Sequence, residues 1–147
     1  MKASNSMRLC FDSRSANESF ARTAVAAFLC GLDPTVEELT DVKTAVSEAV
    51  TNCIVHAYRE KIDKVYITAS IYPDSRIVIK IKDNGCGISS SDLSRVFEKG
   101  FTGRNGRTIY SSTGIGLYLC KCLCDKLGIG ISASSEGKGT TISLSFR

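Results

Sequence analysis

Two short stretches restrict the architecture more than anything else in the chain. In residues 64–71, Val65, Ile67 and Ala69 alternate with polar neighbours, and in residues 76–82, Ile77, Ile79 and Ile81 alternate with Val78, Lys80 and Lys82. Side chains of a strand point to opposite faces in turn, so a period of two gives each stretch one face for a core. Pro73-Asp74-Ser75 supplies the turn between them. The result is an antiparallel hairpin with one buried face, and that face needs a second layer to cover it.

Helices are the available cover. Residues 16–31 carry Phe20, Ala24, Ala27, Phe28 and Leu29 at amphipathic spacing and end near Gly31. After Asp33-Pro34, Thr35 with Glu38 three positions on reads as a capping box. It opens a long helix that runs to about Tyr58. Residues 116–127, with Leu117, Leu119, Leu123 and Leu127, read as a further helix. Strand candidates at 7–12, 129–134 and 140–146 complete the set, the first as an edge or opening strand and the last two joined by Glu136-Gly137-Lys138-Gly139. The expected fold is α+β: a two-layer sandwich of helices on one face of a mixed, mostly antiparallel sheet, forming a single domain over 1–147. Residues 84–112, rich in Gly, Ser and Thr, have little periodicity. A stretch of that length inside a compact domain is usually functional or mobile.

Composition narrows the function. With 43% hydrophobic and 23% charged residues among 147, the chain has the balance of a globular protein. No apolar run reaches the length of a membrane span and no signal-peptide stretch opens the chain, so the expected location is the cytoplasm, with no membrane partner. The net charge of +4 is scattered rather than clustered, which argues against direct nucleic-acid binding. Seven cysteines are better read as buried thiols than as a disulfide framework. Cys120 and Cys124 share a helical face while Cys122 points elsewhere, and core packing is favoured there over a metal.

Four segments carry chemistry. On the long helix, Glu48, Asn52 and His56 recur every fourth residue and form one polar stripe, flanked by apolar Val50, Cys53, Ile54 and Ala57. The stripe fits either a solvated helix face or a ligand-bearing one: an amide oxygen suits Mg²⁺, and a carboxylate one turn away could orient or deprotonate a nucleophile. Asp83-Asn84-Gly85-Cys86-Gly87-Ile88 follows a strand directly. Its glycines allow a sharp turn or close ligand approach, and its Asp can accept from the amino group of adenine; an ordinary Asp-Asn-Gly turn would read the same way. Ser112-Thr113-Gly114-Ile115-Gly116-Leu117 leads into a helix, whose N-terminal N–H groups suit phosphate, although no P-loop is present. In Gly137-Lys138-Gly139-Thr140-Thr141, a threonine hydroxyl could complete a base pocket.

In this order and spacing the segments resemble the GHKL superfamily of gyrase, heat-shock chaperone, histidine-kinase and mismatch-repair ATPases, over essentially the whole chain. Glu48 to Tyr58 looks like the family's N box, and Asp83 to Ile88 like its first glycine box. Phe97 to Gly103 looks like the F-box region, Gly114 to Leu117 like the second glycine box, and Gly139-Thr140-Thr141 like the closing strand motif. Residues 7 to about 58, notably Asn17 to Arg22 and Val46 to Asn52, look very close to the sporulation anti-sigma-F factors. The resemblance implies the GHKL (Bergerat) ATP-binding fold and an ATP-dependent serine kinase. Such a kinase phosphorylates an anti-anti-sigma protein and, as a homodimer, sequesters a sigma factor in transcription regulation. It further implies Glu48 as general base, Asn52 as Mg²⁺ ligand, and Asp83 at adenine. Gly85, Gly87, Thr102, Gly114, Gly116 and Thr140 would surround the ATP, with Arg22 a candidate partner contact and His56 structural or orienting.

The C-terminal half departs from that pattern. Phe97 to Gly103 and Gly114 to Cys120 resemble instead the catalytic domain of sensor histidine kinases. Ser112 stands where the anti-sigma members carry an arginine, which leaves Arg104 or Arg107 to meet the terminal phosphate. A histidine-kinase ATP-binding domain, or a non-catalytic module that uses ATP to set its conformation, are the alternative functions.

Overall fold

The structure is a computed structural model and describes residues 1–57, 61–101, 116–136 and 138–146, with the backbone alone at 56–57. Strand β1 (Asn5–Asp12) leads into helix α1 (Ala16–Leu29) and a short 3₁₀ turn over Cys30–Leu32. Helix α2 (Val36–Asn52) loosens at its end into a π-helical turn, Cys53–Ala57. The hairpin β2 (Lys64–Ile71) and β3 (Ile77–Asp83) follows, then a single turn of helix α3 (Ser90–Leu93). Helix α4 (Gly116–Leu127) and the strands β4 (Gly130–Ser134) and β5 (Thr141–Phe146) close the chain.

The five strands form one sheet in the order β1-β2-β3-β5-β4, and every pairing is antiparallel. The parallel pairing that a mixed sheet would contain is not among the described residues. The register carries one apolar row across the whole sheet: Leu9 opposes Ile67, Ile67 opposes Ile81, Ile81 opposes Ile142 and Ile142 opposes Ala133. Ile67, Ile79, Ile81, Ile142 and Leu144 are fully buried, each contributing about 1.5–3 kcal/mol through apolar burial. The opposite face presents Arg8, Tyr66, Lys80 and Lys82 to solvent.

The helices cover one face, as the hairpin requires. The capping box forms: Glu38 N–H donates to Thr35 Oγ1 at 3.1 Å and Thr35 N–H to Glu38 Oε2 at 2.9 Å. It fixes the start of α2, which buries Val42, Ala45, Val46, Ala49 and Val50 at i, i+3, i+4, i+7 and i+8. The stripe of α1 is set differently from the sequence expectation. Ala21, Val25, Ala26 and Leu29 are buried, while Phe20 is 55% exposed and Ala27 faces out. Ala21 lies in the buried stripe of α1, where the side chain of Phe20 does not, and a phenylalanine there would hold the helix off the core. In α4 the fully buried positions are Cys120 and Cys124, with Leu119 turned outward and Cys122 exposed. Thiols there act as small hydrophobes against α2, and Cys120 Sγ–H also donates to the Ala45 carbonyl at 3.1 Å. Among the described residues no helix is long and apolar enough to cross a membrane.

Candidate nucleotide site

The carboxyl end of β3 and the turn before β5 lock together around one side chain. Asp83 is 1% exposed, and its Oδ1 accepts from Gly85 N–H at 2.9 Å and Thr140 N–H at 3.1 Å. The Asp83 N–H donates in turn to the Thr140 carbonyl at 3.0 Å. Thr140 therefore grips Asp83 through its backbone. Ser135 fastens the same two segments: its Oγ accepts from Ile88 N–H at 3.0 Å and donates to the Gly139 carbonyl at 2.6 Å. Gly139 has φ +94°, and a Cβ on it would stand 2.2 Å from the Asp83 carbonyl oxygen, so only glycine fits under the strand end. Gly87, with φ +76°, makes the turn that follows Asp83.

Burial raises the proton affinity of Asp83, and the Gly85 N–H, the Cys53 thiol and the Thr140 N–H act against that rise. Cys53 reaches it from the π-helical turn of α2, one residue beyond Asn52. Burial, and then the Asp83 charge, push its own thiol well up, which keeps it protonated. Sequence reasoning placed Cys53 in an apolar flank; only the docking of α2 on β3 sets it against a carboxylate.

The second cluster lies on α2. Glu48 and Asn52 are both half-buried, one helical turn apart on the same face. The Glu48 carboxylate lies against the first turn of α4, where a Cβ on Gly116 would stand 3.1 Å from its Oε2. The proton affinity of Glu48 is raised, first by burial and then by the Glu18 carboxylate of α1. Glu18 is held by Arg22, whose Nη1 donates to Glu18 Oε1 at 3.2 Å and to Ser47 Oγ at 3.4 Å. Arg22 is thereby tied to the residue beside Glu48. Glu18 and Ser47 escaped the sequence reading, although the Glu18/Arg22 spacing of one turn was legible. Thr102, Gly114, Arg104, Arg107 and Ser112, and the His56 side chain, lie outside the described residues.

Residues 37–147 match the family described as histidine kinase-, DNA gyrase B-, and HSP90-like ATPase. The chain belongs to that ATPase family. Within it the chain is 46% identical over 142 residues to the anti-sigma F factor of Caldanaerobacter subterraneus subsp. tengcongensis, covering 97% of this chain and 93% of the relative. It is 44% identical over 138 residues to the anti-sigma F factor of Clostridium botulinum strain Eklund 17B, covering 94% and 91%. These relatives group this ATPase-family chain with the anti-sigma F factors, the function expected from its N-terminal half. Similar solved folds include the RsbU and RsbW domains of a Mycobacterium tuberculosis protein (TM-score 0.64, 16% identity, 98% of this chain and 32% of that one). A mycobacterial sensor histidine kinase, MprB, is also similar (TM-score 0.62, 20% identity, 74% and 72%). The likeness to that kinase is one of fold, over 74% of this chain. ATP is the nucleotide the family implies.

Proposed function

We propose that this chain is an anti-sigma factor with protein-serine kinase activity, which holds a sigma factor and transfers the terminal phosphoryl group of ATP to a serine of an anti-anti-sigma protein. The names of its relatives, over nearly their whole length, support sigma-factor binding. The single observation that supports the kinase is Glu48: a half-buried carboxylate of raised proton affinity, against the first turn of α4 and one turn from Asn52. Glu48 takes the proton of the substrate hydroxyl as its oxygen attacks the terminal phosphorus and the bond to ADP breaks. A raised pKa strengthens Glu48 as a base.

Asp83 accepts from the adenine amino group, with Gly85, Gly87 and the Thr140 backbone shaping the surrounding turn. The half-buried amide oxygen of Asn52 is a hard donor of the kind Mg²⁺ prefers beside phosphate oxygens, so Asn52 would hold the ion together with ATP. Bound there, Mg²⁺ would supply charge stabilisation to the phosphates. Gly116 opens the helix whose N-terminal turn favours anions, and Gly114 would join it around the phosphates. Thr102 would be a further contact to the phosphates, and the working unit is a homodimer.

The test is incubation with labelled ATP, Mg²⁺ and candidate anti-anti-sigma proteins, followed by phosphoresidue mapping. Phosphoserine on the partner, lost in Glu48→Gln while ATP and sigma-factor binding persist, is the expected result. Label on histidine, or full transfer by Glu48→Gln, would overturn the assignment.

A further inference from the structure

The sheet ends on one side at β1, and no further strand lies beyond it among the described residues. All eight residues of β1 pair with β2, from Asn5 with Ile71 to Asp12 with Lys64, whereas the strand at the other edge, β4, has five residues and opens on Gly130. Ser13 N–H donates to the Asp63 carbonyl at 2.8 Å, which extends that register and turns the odd-numbered peptide groups of β1 toward β2. Alternate residues of an antiparallel ladder point the other way, so Ser6, Arg8, Cys10 and Asp12 direct their N–H and C=O groups away from the sheet. At the far end the Asp12 carbonyl is already taken, by Arg14 N–H at 2.7 Å and Asn17 Nδ2 at 2.9 Å. The stretch before it, with no proline, is a template for another strand.

The side chains say which strand. Arg8 and Cys10 are exposed and Asp12 is half-buried, all on the face away from the helices. Met7, Leu9 and Phe11 face the core, and the first two are only partly covered. Asp12 pairs with Lys64 of its own sheet, whereas Arg8 has no ion pair among the described residues. Arg8, Cys10 and Asp12 thus read cation, neutral, anion at every second position, a run that complements its own reverse. Turned about a twofold axis at Cys10, Arg8 opposes the partner's Asp12 and Leu9 opposes the partner's Phe11. An axis at Arg8 would oppose two arginines, and one at Leu9 would set Arg8 against the partner's Cys10, so charge selects the register.

We infer that the partner at this edge is a second copy of the chain, its β1 antiparallel to this one about a twofold axis at Cys10, with one sheet running through both subunits. The inference rests on the homodimer reading above and names its interface. Such a contact is isologous and closed, so it uses up the open edge and does not propagate. It also makes the two Cys10 residues a directly opposed pair with Cα atoms about 5.5 Å apart, within the span of a disulfide.

Sedimentation equilibrium gives the dimer dissociation constant for the parent chain, for Arg8→Asp and for the double variant Arg8→Asp with Asp12→Arg. The single change opposes like charges at both ends of the pairing and should weaken the dimer about tenfold; the charge swap should return it to within about threefold of the parent. Diamide takes up the hydrogens of two thiols as they join. It should give a covalent dimer on a non-reducing gel from the parent, and from a chain in which the other exposed cysteines, Cys30, Cys86 and Cys122, are serine. Cys10→Ser should give none. A dimer indifferent to Arg8→Asp, or one cross-linked as well without Cys10, would overturn this interface and leave the homodimer standing. A chain that stays monomeric at every concentration removes the homodimer reading itself, and the interface with it.

Discussion

The two carboxylates of the site, Asp83 and Glu48, share a raised proton affinity with burial as its first cause, and differ in nearly everything else. Asp83 is sealed in, with its oxygen gripped by two backbone N–H groups and its strand end pinned over Gly139. Glu48 is half-exposed on a helix face, beside the opening turn of α4, and its neighbour in charge is another carboxylate, Glu18. Fixed backbone donors hold a carboxylate still, as recognition needs. A like charge and an open side leave one poised to take up a proton.

Substitutions can break that contrast, and the largest effect belongs to the reacting partner. Glu48→Gln removes the base, so phosphotransfer should fall by about 10²–10⁴-fold while ATP affinity stays within about threefold, as single-turnover transfer and nucleotide titration would report. Gly139→Ala strikes the holding side. Its Cβ meets the Asp83 carbonyl at 2.2 Å in a backbone conformation that alanine resists, and chemical denaturation should show a loss of about 3 kcal/mol. Asp83→Asn keeps the shape and loses the charge, so ATP affinity should drop roughly 10- to 100-fold with little change in the rate of bound nucleotide.

Two milder variants sharpen the picture. Gly116→Ala places a methyl 3.1 Å from Glu48 Oε2. The flexible carboxylate shifts, and phosphotransfer should fall about tenfold with thermal stability unchanged or slightly raised, because alanine favours the helix. Glu18→Gln removes the like charge beside Glu48. Activity requires ionised Glu48, so it rises with pH through the Glu48 pKa; lowering that pKa moves the acid limb of the rate profile to lower pH. The change at neutral pH should be only about two- to threefold.

Much of the framework was legible from the residues. Period-two alternation in 64–71 and 76–82 marked the hairpin to within a residue, and Thr35 with Glu38 marked the start of α2. Such signals are local, because the turn, the cap and the pleat are settled by neighbours in sequence. The stripe of α1 was misjudged by about one residue. Hydrophobicity pointed to Phe20, whereas packing into the core selected Ala21 and Val25. In α4 the shared face of Cys120 and Cys124 was legible from their spacing and is the buried seam, while Leu119, read with the apolar set, turns outward.

By itself, the sequence determined the ordered set of polar and glycine-rich segments, the helix face that carries Glu48 with Asn52, and the strand that ends in Asp83. The tertiary structure decided which of these groups meet. Glu18, thirty positions from Glu48 in the chain, raises its proton affinity because α1 packs on α2. Asp83 is bound by Thr140 because β5 pairs with β3, and Cys53 acts on it because the end of α2 packs against β3. Electrostatic environment is a property of three-dimensional neighbours, and residues far apart along a chain become neighbours only when the core is assembled.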